Sequence, residues 1–325
     1  MPEWQSICCS GKNKELLKIR MKTKKKITGR LRTREIISGY AMIAPLMIGV
    51  LIFYIGAFFK NIYYSFTDKG NFGVPKLIGL QNYAGLFHDE MFFQALRNTF
   101  IYVLVCVPLV LVLAIAVAVL LNQKVRGIGF FRVAIFLPAV TLPAAIGLVW
   151  KWLMNYEFGL FNLMRSAFGK SSIAWLSDPK YVLLSVSIVF IWASVAYQVV
   201  VLLAGLQGIP ECYMEAAEID GANRFQQFTR ITLPLLSPTI FFVLVTTVIN
   251  VFQMFDFIYL MIPEGSTGAP ASRSLVSYFF QQSFTIGHKG YGAAISVILF
   301  MIIFFVTLIL MILQKKWLNH KFCGI

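Results

Sequence analysis

The sequence is short of charge, and above all of negative charge. Only 13% of its 325 residues are charged, and the 14 acidic residues are outnumbered by 29 basic ones. Soluble domains usually carry about 25% charged residues. Hydrophobic residues make up 58% of the chain, and the mean hydropathy is +0.74. This composition excludes an ordinary soluble globular domain and indicates a polytopic membrane protein.

Residues for catalysis and metal binding are scarce as well. None of the three histidines neighbours a nucleophile or a carboxylate cluster with a spacing useful for catalysis, and the five cysteines show no metal-ligand spacing. The phosphate-binding pattern GxxxxGK followed by Ser or Thr does not occur in the sequence. We therefore expect no catalytic residue, no metal and no cofactor in this chain itself.

The sequence does contain six apolar runs that are long enough to cross a bilayer, which needs about 20 residues. Backbone polar groups find no partner in lipid, so all six must be helical and the predicted fold class is all-α. The runs are 39–63, 99–121, 131–153, 181–206, 237–262 and 292–313. They predict a transmembrane domain over 36–314, between a basic arm at 1–35 and a tail at 315–325.

Positive charge is distributed unequally over the loops between these runs. Lys and Arg number 19 in the arm, the loop 122–132, the polar segment 209–238 and the tail, against 8 on the other side. The positive-inside rule therefore places both termini and the polar segment in the cytoplasm. We predict a multi-pass plasma-membrane protein whose basic residues meet lipid head groups and not nucleic acid.

The segment 209–238, called the elbow below, is the most polar long stretch between two apolar runs. Its first helix is predicted to start near Pro210 and to stop at Gly221, which we expect in the left-handed conformation. A second short amphipathic helix is predicted to follow and to end where Leu233 meets Pro234. The elbow should therefore lie on the membrane surface, where another protein can reach it.

The elbow resembles the EAA loop of the membrane subunits of binding-protein-dependent ABC importers. That pattern is EAA, three residues, Gly, nine residues, Ile, one residue and Leu-Pro. The matching residues are Glu215-Ala216-Ala217, Gly221, Ile231 and Leu233-Pro234. The longer form EAAEIDGA is similar to the sugar-importing branch of the family. Further similar motifs are Gly79-Leu80-Gln81-Asn82-Tyr83, Arg97-Asn98-Thr99, Phe158-Gly159-Leu160-Phe161-Asn162 and Ala204-Gly205-Leu206-Gln207.

The resemblance implies an assembly. It consists of this chain, a second permease subunit, two ATPase subunits that carry ATP and Mg, and an extracytoplasmic solute-binding protein. The residues implied in coupling to the ATPase are Glu215, Ala216, Ala217, Asp220, Gly221, Phe225 and Phe228. A secondary transporter driven by an ion gradient is the alternative, although no inverted repeat is evident and only Asp256 is a carboxylate at membrane depth. A channel or a membrane-bound enzyme would need a selectivity or catalytic cluster that we do not find.

A candidate solute path lies in the fifth apolar run. Asn250, Gln253 and Asp256 recur at i, i+3 and i+6, which on one helix keeps them within a sector of about 120°. Exposing Asp256 to lipid would cost at least about 2.5 kcal/mol, so this sector is predicted to face a partner subunit or a wet cavity. Residues of the fourth run that could join it, by stacking on or hydrogen-bonding to a sugar, are Trp192, Tyr197 and Gln198. The alternative, which we favour for Asp256, is that these groups only hold helices together.

Overall fold

The structure, a computed structural model, describes residues 35–123, 126–263 and 265–322, excepting the side chains of 315–322. These residues form helices and turns, and pairing between extended segments is limited to one isolated bridge, between Thr67 and Leu77. The predicted all-α fold is confirmed. Residues 1–34, nearly all of the predicted basic arm, lie outside the described residues.

The described helices are numbered here in chain order. They are α1 (Glu35–Ser65), α2 (Gln81–Phe87), α3 (Glu90–Leu121), α4 (Ile128–Val140), α5 (Pro143–Leu153), α6 (Leu160–Ala167), α7 (Val182–Gln207), α8 (Cys212–Ile219), α9 (Arg224–Phe252), α10 (Asp256–Met261), α11 (Gly268–Ser272), α12 (Leu275–Phe280) and α13 (Lys289–Phe322). Turns with π-type hydrogen bonding occupy Leu51–Gly56 in α1, Phe228–Thr232 in α9 and Gln281–Ile286 after α12.

Among the described residues, α1, α3, α7, α9 and α13 are each long and apolar enough to cross a membrane. The third predicted span, 131–153, is not one helix but the pair α4 and α5, which are bent by 101°. Leu142 between them is extended, with φ −60° and ψ 133°. Pro143 explains this break, because proline disfavours helical geometry in the residue before it and offers no N–H.

The fifth predicted span, 237–262, is also wrong as a single helix. Helix α9 ends at Phe252, and α10 begins only at Asp256. The carbonyl of Met254, in the break, accepts a hydrogen bond from Ser274 Oγ at 2.8 Å. A partner from a distant part of the chain thus replaces the helical hydrogen bond at this point.

The start of α9 corrects the prediction of a short second elbow helix. The helix does not stop at Leu233 but continues through Pro234 into the membrane span. A π-type turn precedes the proline, and the Leu233 N–H donates to the carbonyl of Phe228. This wider turn accommodates a residue without an N–H, which would otherwise break the helical ladder. Helix α13 likewise continues through the predicted tail as far as Phe322.

The chain divides after Asn61 into two compact units. In the described part of the first unit, the most apolar stretch of α1 has no buried residue. The second unit has two apolar clusters along α3, α7 and α9. Ala114, Ala118, Leu202 and Leu236 belong to the cluster nearer the elbow, and small residues there let helix backbones approach closely.

The segments 66–89, 154–181, 253–263 and 265–288 lie at the ends of these helices opposite the elbow; we call this the distal face. Asn162, which is 3% exposed, organises one of these loops. Its Nδ2 donates to the carbonyl of Ile173 at 2.9 Å, while its Oδ1 accepts from Ile173 N and from Trp175 Nε1. The motif 158–162, which resembles the family, therefore has a structural role, because its Asn162 holds the loop together.

Candidate functional site

The elbow is built around a sharp turn at the end of α8. Gly221 has φ +77°, so the predicted left-handed conformation is confirmed. Its N–H donates to the carbonyl of Glu218 at 3.0 Å, and the N–H of Ala222 donates to that of Ala217 at 2.9 Å. This is the Schellman arrangement that satisfies the last carbonyls of a helix. Asn223 then caps α9 through a reciprocal pair of hydrogen bonds with Gln226. The elbow is thus defined by hydrogen bonds on both sides of the glycine.

The elbow is joined to the bundle where α7 and α9 pack closely. A Cβ added at Gly205 would lie 2.7 Å from Thr239 Oγ1 and 2.9 Å from Leu236 Cδ1. Such distances are shorter than van der Waals contact, so a larger residue at this position would force Thr239 and Leu236 to shift. The elbow is therefore continuous with two long helices that pack closely against each other.

The coupling residues implied by the resemblance do not all face outward. Glu215, Ala216, Asp220 and Gly221 are exposed. Ala217, by contrast, is 7% exposed, and its side chain is buried within the chain itself. Ala217 therefore belongs to the inner side of the helix, whereas Ala216 belongs to its outer side.

Two large apolar side chains, those of Phe225 and Ile219, are exposed on the outer surface of the elbow. Phe225 is 74% exposed, whereas Phe228 in the π-type turn is half-buried. Ile219, which the sequence analysis did not select, is 86% exposed. An isoleucine between Glu218 and Asp220 was the signal that could have found it. Exposed apolar side chains of this size are candidate contacts for another protein.

The predicted polar face of the fifth run is divided by the break in the helix. Asn250 lies in the last turn of α9, Gln253 follows its end and Asp256 opens α10. All three are exposed, but they do not share a face of one helix, so the prediction of a continuous polar sector is wrong. Asp256 at the first position of α10 complements the positive end of the helix dipole.

The residues selected on α7 point in different directions. Trp192 is 45% exposed and its ring lies 5.6 Å from that of Trp150, edge to face. Tyr197 is 55% exposed, and five residues along a helix turn it about 140° away from Trp192. Gln198 is 1% exposed, so it cannot contact a solute in this conformation. Its Oε1 has no hydrogen-bond partner in the part of the chain that is described.

Trp192 lines an apolar cleft of about 550 Å³ between α3, α4 and α7. Other residues that line it include Leu109, Pro138, Ile188 and Val195. The walls offer almost no polar group for the hydroxyls of a sugar. Trp192 thus borders an apolar cleft whose lining residues do not include the polar residues at the end of α9.

Residues of the Arg97-Asn98-Thr99 motif hold the distal loop that follows α11. Asn98 Nδ2 donates to the carbonyls of Pro270 and Arg273, both at 3.1 Å. Thr99 Oγ1 accepts from the N–H of Leu275 at 2.9 Å. These contacts connect α3 to a loop about 170 residues further along the chain, so this motif is structural in this protein.

Comparisons with known proteins agree with this architecture. Residues 83–319 match the family described as "Binding-protein-dependent transport system inner membrane component". The probable ABC transporter permease protein YesP of Bacillus subtilis is 35% identical over 89% of this chain and 94% of its own. The trehalose/maltose transport system permease protein MalF of Thermococcus litoralis is 32% identical over 87% of this chain and 95% of its own.

A solved structure shares the fold. A chain in the crystal structure of a bacterial ABC transporter for import of the acidic polysaccharide alginate has a TM-score of 0.80 at 21% identity. The similarity covers 90% of this chain and 99% of that one. The protein is a multi-pass inner-membrane permease subunit and not an enzyme. It belongs to the family of inner membrane components of binding-protein-dependent transport systems.

Proposed function

We propose that this chain moves a sugar or oligosaccharide through the membrane, driven by ATP hydrolysis on two separate ATPase subunits that carry ATP and Mg. The observation that carries the proposal is the elbow, a rigid turn with Glu215, Ala216, Ile219 and Phe225 exposed on its outer surface. Relatives named for trehalose/maltose, arabinooligosaccharides and sn-glycerol-3-phosphate transport support the sugar class.

Coupling follows from the mechanics of the elbow. Closure of the ATPase pair displaces the outer surface of α8, and the contact at Gly205 passes this displacement to α7 and α9. Glu215 pairs with a basic group of the ATPase, while Ile219 and Phe225 occupy an apolar groove beside it. Asp220 and Gly221 set the direction of the turn, and half-buried Phe228 anchors the start of α9. The helices then open toward the opposite side of the membrane.

The exposed amides beside the break after α9 support a solute path at the contact with a second permease subunit. Asn250 is exposed at the end of a membrane-spanning helix, where contact with lipid would leave its amide unpaired. A partner subunit and a wet cavity between the two chains relieve that cost. Tyr197 offers an aromatic face for a sugar ring, while Asn250 and Gln253 offer amides for its hydroxyls. Asp256 caps α10, Trp192 lines the apolar cleft, and Gln198 stays inside the bundle.

The test of this path is the double substitution Asn250→Ala and Gln253→Ala. Loss of two amide contacts should raise the apparent Km for uptake about tenfold, because each neutral hydrogen bond contributes roughly 0.5–1.5 kcal/mol. The measurement is ATP-driven uptake at matched protein levels. Thr246→Ala is the control, since Thr246 Oγ1 bonds to its own helix at the carbonyl of Phe242. An unchanged Km and sugar preference in the double variant would exclude this path.

The elbow and both termini are assigned to the cytoplasm, and the distal face to the side where a solute-binding protein docks. A cysteine placed at Thr267 should therefore react with a membrane-impermeant thiol reagent added outside intact cells. Cys212 at the start of α8 is exposed, but it should react only after permeabilisation. The opposite labelling pattern would invert the topology and put the elbow beyond the reach of ATP.

Uptake driven by ATP distinguishes this proposal from a secondary transporter. Deleting the partner ATPase should abolish accumulation of the sugar while leaving this chain in the membrane. Accumulation that persists without the ATPase and collapses with the ion gradient would instead establish secondary transport.

A further inference from the structure

A second cavity, of about 290 Å³, lies on the distal face between α10, α11 and the end of α12. It is separate from the apolar cleft at Trp192 and from the residues of the proposed path. One wall is aromatic, with the rings of Tyr259 and Phe280 5.1 Å apart. The polar groups that line it are those of Arg273, Ser277, Gln281 and Thr285. An aromatic wall with a few polar groups is the usual composition of a small-molecule site.

Arg273 is the charged residue among those described that line this cavity, and its guanidinium uses little of its hydrogen-bonding capacity. Within the described part of the chain, its guanidinium donates one hydrogen bond, to Met91 Sδ at 3.3 Å. A thioether is a weak acceptor, and a guanidinium has five N–H donors. The group also lies over the ring of Tyr278, with 5.8 Å between its Cζ and the ring centroid, which fixes its plane. A half-buried guanidinium in this state favours a ligand that carries an anion.

The nearby carboxylate of Asp89 is already committed to other donors. Its Oδ1 accepts from the backbone N–H groups of Met91 and Phe92. Its Oδ2 accepts from the hydroxyls of Tyr291, at 2.6 Å, and Tyr278. Burial raises the pKa of this carboxyl, but the four hydrogen bonds outweigh it and hold the pKa below its ordinary value. Asp89 thus attracts Arg273 at a distance without occupying its donors.

We propose that this cavity is a distal-face subsite for an acidic saccharide, with Arg273 receiving the carboxylate of a uronic acid residue. Tyr259 and Phe280 face the sugar ring, and Gln281 and Thr285 hydrogen-bond its hydroxyls. The subsite deepens the proposed function, because it names the chemical class of the imported solute. A planar guanidinium binds a carboxylate through two parallel hydrogen bonds, which a neutral sugar cannot form.

The composition of the cavity favours a sugar over a side chain of the solute-binding protein. A carboxylate side chain of the solute-binding protein would need only Arg273 as its partner in the cavity. The additional hydroxyls and amide of Ser277, Gln281 and Thr285 beside an aromatic wall suit a ligand with several hydroxyls.

The experiment titrates the full chain in lipid nanodiscs with D-glucuronate and with D-glucose, following saturation transfer to the sugar by NMR. The two probes differ in a carboxylate that replaces a hydroxymethyl group. Wild type should bind glucuronate more tightly than glucose, and Arg273→Gln should weaken glucuronate at least about tenfold with little effect on glucose. Gln281→Leu, which keeps the guanidinium in place, should weaken both sugars.

Arg165→Gln is the matched control. Arg165 also lies on the distal face over an aromatic ring, 6.0 Å from the centroid of Trp175. Its guanidinium, however, donates two hydrogen bonds to the carbonyl of Ser171 at 3.2 and 3.1 Å. Because these donors are satisfied, the control variant should bind glucuronate as wild type does.

Two results would overturn the subsite. They are equal affinities of wild type for glucuronate and glucose, and glucuronate binding that survives in Arg273→Gln. Loss of glucuronate binding in Arg165→Gln would likewise remove the specific role of Arg273. Binding is measured without ATP and so does not depend on the ATPase. ATP-driven uptake of a neutral sugar without any glucuronate binding would disprove the subsite but leave the proposed function standing. Glucuronate binding without ATP-driven uptake defeats the proposed function alone.

Discussion

Gly221→Val is expected to reduce ATP-driven uptake at least about tenfold while leaving the protein in the membrane. At Gly221 the backbone has φ +77°, and a Cβ there would meet no atom within 4 Å. The effect is therefore conformational and not steric. A β-branched residue in the left-handed region costs about 1–3 kcal/mol, enough to change the turn that sets the direction of α8. The measurement is uptake into proteoliposomes of the complete importer at matched protein levels.

Gly221→Asn is the control, because asparagine enters the left-handed region more readily than other residues with a side chain. It should keep most of the uptake. Glu215→Lys tests the contact without changing the turn: Glu215 is exposed, so folding should be unaffected while uptake is lost. Normal uptake in both Gly221→Val and Glu215→Lys would remove the coupling role of the elbow.

The left-handed glycine was predictable from sequence because its cause is local. A helix followed by glycine and a capping asparagine specifies the turn by hydrogen bonds among neighbours, as the contacts of Ala222 and Asn223 show. Five helices of membrane-crossing length were predictable for a similar reason, since each of these runs satisfies its own backbone inside the bilayer.

The break between α9 and α10 was not predictable, because its cause is distant in the sequence. Apart from Asn250 and Gln253 the run remains apolar from Val248 through Met254, and no proline or glycine separates Gln253 from the helix before it. The partner of the Met254 carbonyl, Ser274, lies 20 residues further on. The assignment of Asn250 and Asp256 to one face failed for this reason, although both are exposed.

Burial could not be predicted from the sequence at two positions either. Ala217 and Gln198 are both buried, and nothing in the neighbouring sequence distinguishes them from exposed residues. The subsite at Arg273 shows the same limit, since Met91 and Arg273 are 182 residues apart. Sequence patterns therefore located the elbow well and the distal sites poorly.

Gly205→Ala is expected to destabilise the protein and to impair uptake, since this glycine permits the close packing of α7 on α9. The added Cβ would lie 2.7 Å from Thr239 Oγ1 and 2.9 Å from Leu236 Cδ1. Overpacking of this kind costs about 1–3 kcal/mol. We expect a fall of several degrees in the unfolding midpoint of the purified protein, followed by tryptophan fluorescence, and a matching loss of ATP-driven uptake.

A second substitution distinguishes the steric cause from any intrinsic effect of alanine. Gly205→Ala combined with Thr239→Ala removes the hydroxyl and methyl groups nearest the new Cβ, so the double variant should regain most of the midpoint and most of the uptake. Non-additivity of this size is the mark of two residues in direct contact. Gly49→Ala in α1 should leave the midpoint unchanged or raise it, because a Cβ there meets no atom within 4 Å. If Gly205→Ala is neutral, or if Thr239→Ala fails to rescue it, the α7–α9 contact is not what transmits movement of the elbow to the helices.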